Sequence, residues 1–106
     1  MKFGKRIKEL RTEKGLTLDQ LAQETGSSKS YIWELENKNP PRPSAEKLSA
    51  IAAALEVTVD YLIGSDEQTL EEAEDTAFFR KYRSLPEETR RQIREMARIL
   101  DTKSKK

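Results

Sequence analysis

Neither cysteine nor histidine occurs among the 106 residues. Disulfides, thiolate nucleophiles, Cys/His zinc sites and Ser-His-type triads are therefore excluded. Glycine and proline are scarce, 4 of each, and no glycines cluster into a phosphate-cradling loop. No apolar run approaches the length of a bilayer span. The start, "MKFGKRIKEL", is amphipathic and lacks the apolar block of a secretory signal. A cytoplasmic protein without metal or cofactor is the expectation. Carboxylates are plentiful, but they alternate with Lys and Arg at helical spacing, which describes solvated faces rather than an acid/base pair. An enzyme is not expected.

What the chain does contain favours helices. Hydrophobic residues make up 35% and charged residues 37%, and the polar residues are mostly Glu, Lys, Arg and Gln, which are good helix formers. Phe3, Ile7 and Leu10 fall on one stripe of a first helix that Gly15 ends. Thr17 is a good N-cap for a second helix, with Leu18, Leu21 and Ala22 inward and Gly26 at its end. A third runs from about Ser28 to Asn37. "NKNPPRPS" cannot continue it, having three prolines in residues 40–43. Ser44 caps a fourth helix with Leu48, Ile51, Ala52 and Leu55 inward, and Thr58 caps a fifth that Gly64 closes.

Composition changes after residue 64. Residues 65–75, "SDEQTLEEAED", hold six acidic side chains and no base, whereas ten Lys/Arg and four Asp/Glu follow from Phe79 onward. "SLPEETRRQIREMARIL" predicts a helix opened by a Ser84–Glu87 capping box, with "TKSKK" as a frayed tail. Its stripe of Thr89, Ile93, Met96, Ala97 and Leu100 needs a partner, because a helix with so narrow a stripe is marginal alone. Leu70, Ala73, Ala77, Phe78 and Tyr82 offer one, giving a helical hairpin turned at residues 83–85. Phe79 is left over as apolar surface. The expected organisation is a five-helix unit at 1–64 and a C-terminal helical segment at 65–106.

Helices two and three with a tight turn at Gly26 form a helix-turn-helix pattern. Ala22, four residues before the glycine, allows a close crossing, and Gly26 can adopt the positive φ of a short turn. Once Ile32 and Leu35 are anchored inward, Ser28, Lys29, Ser30, Trp33 and Glu34 point outward. Trp33 is the only tryptophan, and on such a helix it would face a DNA major groove. The alternatives are a core Trp33, a solvated Lys29 and a Glu34 that merely pairs with a lysine. Residues 1–65 carry ten basic and nine acidic side chains, so binding must depend on where charge sits. Lys29, Lys38 and Arg42 would share a face, with Lys2, Lys5 and Arg6 nearby.

The runs "RIKELRTEKGLTLDQLA", "SYIWELENKN" and "LSAIAAALEVTVDYLIG" resemble the phage-repressor-like (Cro/C1-type, Xre-like) helix-turn-helix family over residues 3–64. The resemblance implies an all-α, five-helix, lambda-repressor-like DNA-binding domain. It also implies a dimeric transcriptional regulator, probing double-stranded DNA at a near-palindromic operator. Base contacts would come from Ser28, Lys29, Ser30, Trp33 and Glu34. Backbone contacts would come from Thr17, Tyr31, Asn37, Lys38, Asn39 and Arg42. The family usually has Gln where this chain has Leu18, and an apolar residue where it has Ser27. An Arg11–Glu36 pair is kept and reads as a structural tie. In the C-terminal segment, Phe78, Phe79, Tyr82, Ile93, Met96, Ala97 and Leu100 are the candidates for dimerisation or partner binding. An antitoxin-type protein, neutralising a toxin partner through that segment, is the alternative. A hairpin folded back on the five helices is a third arrangement.

Overall fold

The computed structural model describes residues 2–38, 43–64 and 68–104. All its regular elements are helices: α1 Lys2–Glu13, α2 Leu18–Thr25, α3 Lys29–Asn37, α4 Ala45–Leu55, α5 Val59–Ile63, α6 Leu70–Ser84 and α7 Glu87–Ser104. The helix boundaries have local causes. Thr17, Ser28, Ser44, Thr58 and Thr69 each stand in extended conformation and accept a backbone N–H from three residues on. At Thr17 and Thr69 the box is reciprocal, through Gln20 and Glu72. Gly26 takes the left-handed conformation, φ 67°, that the α2–α3 turn requires.

The core is built from the inward stripes of the first five helices. Ile7, Leu21, Ile32, Leu35, Ile51, Leu55 and Leu62 are essentially fully buried. α1 crosses α3 so closely that a Cβ at Gly4 would run into the carbonyl oxygen of Leu35. A glycine inside a helix normally costs about 1 kcal/mol relative to alanine. Here the close crossing reverses the preference. Gly4→Ala is expected to destabilise by about 1–3 kcal/mol, as overpacking does, seen as a lower urea midpoint with unchanged slope.

α6 begins on this unit. Ala73 is fully buried in the core cluster, and Leu70 packs against it. These two residues were expected to face α7; instead α6 meets α7 near the turn, where the Tyr82 hydroxyl accepts from Arg94. The Gln68 side chain accepts from Thr58 and donates to Thr76, and Lys14 pairs with Glu74 at 3.6 Å. The Ser84–Glu87 capping box does not form either. Ser84 ends α6 and donates its hydroxyl to Lys81, while Glu87 pairs with Arg90 and Arg94. The turn is correspondingly tight, with Leu85 capping α6 and α7 starting at Glu87. The tail is helical through Ser104 rather than frayed from Thr102, whose hydroxyl bonds back to Arg98.

α7 does not fold back onto the five-helix unit. Met96 and Leu100 are each 63% exposed and Ile99 is 52% exposed. The radius of gyration is 16.1 Å, against about 13 Å for a compact domain of this length. The longest dimension is accordingly 50 Å.

Candidate nucleic-acid interface

Contacts from α1, from α4 and within the turn hold α3 and the turn that precedes it. Glu36, at its inner end, receives the Arg11 guanidinium at two points, 2.6 and 3.1 Å. Arg11 also donates to the Leu16 carbonyl at 2.9 Å, so one side chain joins α1, the α1–α2 turn and α3. Lys47 of α4 donates to the carbonyls of Thr25 and Gly26, 3.2 Å each, placing a cation at the negative end of α2. The same ammonium lies 5.8 Å from the Tyr31 ring centroid. In the turn itself the buried Thr25 hydroxyl donates to Ser27, so Ser27 is tied in by its hydroxyl where an apolar residue would pack.

With Ile32 and Leu35 buried, Lys29, Ser30, Trp33, Glu34, Asn37 and Lys38 are exposed together. Trp33 is 44% exposed and therefore not a core residue. The Lys38 ammonium stands 5.7 Å from its ring centroid, a cation–π contact. Beside the ring is a shallow notch lined by Leu18, Lys29, Ser30, Trp33 and Glu34. Ser28 sits at the edge, its hydroxyl engaged as the α3 cap. Asn37 donates its side-chain amide to the Trp33 carbonyl. Thr17 is exposed at the start of α2, whereas Tyr31 is half-buried and packed on the core. Asn39 and Arg42 lie outside the described residues. Arg6 is committed to α5, where it donates to the Tyr61 carbonyl and stacks 4.0 Å from that ring's centroid.

Among the C-terminal candidates, Phe78 and Tyr82 stack with centroids 6.4 Å apart, and the Tyr82 hydroxyl accepts from Arg94 at 2.7 Å. Tyr82 and Ile93 are half-buried beside a groove of about 640 Å³ between α4 and the hairpin. Phe78, Phe79, Met96, Ala97 and Leu100 are exposed.

Leu18, which stands where the family usually has a DNA-touching Gln, both packs on the core and walls the notch. Sequence reasoning missed one residue that positions this surface. Lys47 resembles any surface lysine on α4, and only the three-dimensional placement of α2 above it reveals its bonds.

An outward helix held on a helix-turn-helix scaffold is the arrangement of DNA-binding regulators. The helix-turn-helix family model (HTH_3) matches residues 7–62, and the chain belongs to this family of DNA-binding transcriptional regulators. The transcriptional regulator SinR of Bacillus licheniformis is 38% identical over 67 residues, covering 63% of this chain and 60% of that protein. The chain thus spans less than two thirds of that relative's length. The immunity repressor of Bacillus phage phi105 is 38% identical over 72 residues, 68% of this chain and 49% of the repressor. Among solved structures, SinR in complex with DNA matches with a TM-score of 0.54 at 39% identity, over 57% of this chain and 97% of that one. The SinR protein/SinI protein complex matches at 0.56 and 28% identity, over 94% of this chain and 98% of that one. Among the described residues no helix is long and apolar enough to cross a membrane.

Proposed function

We propose that this chain is a sequence-specific repressor, working in the cytoplasm, that binds a palindromic operator as a homodimer with α3 in the major groove. The observation that carries the reading is the division of α3. One side is locked inward by Ile32, Leu35 and Glu36, and the other presents Lys29, Ser30, Trp33 and Glu34 to solvent. Donor and acceptor groups at such positions suit base edges, while Lys38, Asn37 and Thr17 at the margins suit phosphates. A relative solved on DNA supports the same use of the domain.

The test is selection of bound duplexes from a random pool, followed by footprinting. Two half-sites about 34 Å apart are expected, since a two-fold dimer presents both recognition helices to one side of the duplex. A protected region without two-fold symmetry would contradict the dimer. Lys29→Ala should change sequence preference by about 1–3 kcal/mol at one position. Lys38→Ala should weaken operator and scrambled DNA alike and lower the salt slope by about one. Equal loss of specificity from both variants would refute this division of labour.

A second reading gives the exposed α7 face to a different protein, as in an antitoxin-type regulator that neutralises a toxin. The exposure of Met96, Ile99 and Leu100 favours some protein partner, and SinR has been solved as a complex with SinI. Sedimentation separates the readings: a dimer without any partner supports the repressor as stated, and a lone monomer supports the alternative.

A further inference from the structure

We propose that the notch between Leu18 and Trp33 receives the C5-methyl group of a thymine, which makes these two residues specificity determinants. The inference rests on the DNA-binding reading above. Leu18 opens α2 and Trp33 lies in the second turn of α3, so the two apolar walls come from different helices. Leu18 is half-buried and packs inward against the core cluster, which fixes its outer edge. The crossing of the two helices is set by Gly26 and by the Lys47 bonds to the turn carbonyls. The notch is thus a built feature of the scaffold, with Lys29, Ser30 and Glu34 on its rim.

The major groove displays donors and acceptors at every base pair, and thymine alone adds an apolar group. An apolar wall gives no partner to the N4 amine of cytosine, the N6 amine of adenine or the acceptors of guanine. Pressed against it, those groups would lose water without replacement. A methyl meets no such penalty and gains from leaving water. The notch therefore selects thymine at the position beneath it. The rim reads what adjoins: the Lys29 ammonium suits guanine O6 and N7, and the Glu34 carboxylate suits the N4 amine of cytosine. The Lys38 ammonium over the indole, 5.7 Å from its centroid, restrains the ring at the edge of the site.

The test uses the full chain and an operator recovered from the random pool. Each thymine is replaced singly by deoxyuridine, which removes the methyl and nothing else. One thymine per half-site should lose about fourfold in affinity, the value of one buried methyl, and the remaining thymines should be indifferent. Placing 5-methylcytosine rather than cytosine at that position should restore the same factor. In Trp33→Ala and in Leu18→Gln the deoxyuridine exchange should have no effect. Trp33→Ala should keep its thermal transition because the ring is exposed, so it decides the matter even where Leu18→Gln fails to fold. A methyl effect that persists in folded Trp33→Ala, or the absence of any methyl-sensitive thymine, overturns the assignment while leaving DNA binding intact. Failure to recover any preferred duplex is a different result, which removes the DNA-binding reading and this inference with it.

Discussion

Glu36→Ala should lower stability by about 3–5 kcal/mol, the usual consequence of stranding one member of a buried ion pair. The side chains of Arg11 and Glu36 are only 12% and 1% exposed. The guanidinium makes two bonds to the carboxylate and one to the Leu16 carbonyl. Deleting the carboxylate keeps the cation where water cannot replace its partner. A domain holds about 5–15 kcal/mol in total, so this one change removes a large fraction of it. Urea unfolding measures the loss. The double variant Arg11→Met with Glu36→Leu separates the causes: an apolar pair of similar volume should recover much of the stability, because buried pairs contribute little beyond their own desolvation. A loss below about 1 kcal/mol for Glu36→Ala would mean that the pair behaves as a surface ion pair. Recognition should suffer before folding does, because Glu36 also anchors the end of α3 whose outer face meets DNA.

Met96→Asp combined with Leu100→Asp should reduce operator affinity by about 10²–10⁴, the avidity that coupling two half-sites supplies. Both side chains are 63% exposed in the single chain, on the same side of an 18-residue helix. Phe78 and Phe79 on α6 add further uncovered apolar surface, at 59% and 55%. Apolar surface exposed to this extent suits a site of association. Carboxylates there would be desolvated without partners in a dimer, while in a monomer they stay in water. The variant should sediment as a monomer with its thermal transition little changed, since neither residue touches the core. Ending the chain after Ser84 should have the same effect and keeps Ala73 in place. A variant that remains dimeric with full affinity would transfer the α7 face to another protein.

Much of the five-helix unit was legible because its signals are local. Thr17, Ser44 and Thr58 are caps whose side chains reach N–H groups three residues on, and Gly26 and Gly64 fill left-handed positions. The apolar stripes of α1 and α4 are buried as their spacing implied. Local signals failed where tertiary placement decides. Gly4 looks like a weak point in α1 until the Leu35 carbonyl is seen above it. α4 ends at Glu56, a non-glycine residue at φ 61°, so no turn residue announces the boundary. In the hairpin, the stripe of Leu70, Ala73 and Ala77 fits two partners equally well by periodicity. The five-helix core took Leu70 and Ala73, and Ser84 closes α6 on the Lys81 carbonyl instead of opening α7 with Glu87. On α3, spacing alone separated the outward residues from Ile32 and Leu35. It could not show that Leu18 shares their notch, because that proximity crosses the turn.

The two-sided build of α3 bears on how this protein can change over time. Ile32, Leu35 and Glu36 answer to the scaffold, while Lys29, Ser30, Trp33 and Glu34 are exposed, with only the Trp33 ring held at its edge by Lys38. Substitutions at exposed positions free of special features usually shift stability by no more than about 0.5 kcal/mol. Inheritance can therefore rewrite the outer four residues while the fold stays the same. Daughter genes from one duplication can diverge toward separate targets by a few point changes, each still folding on the same core.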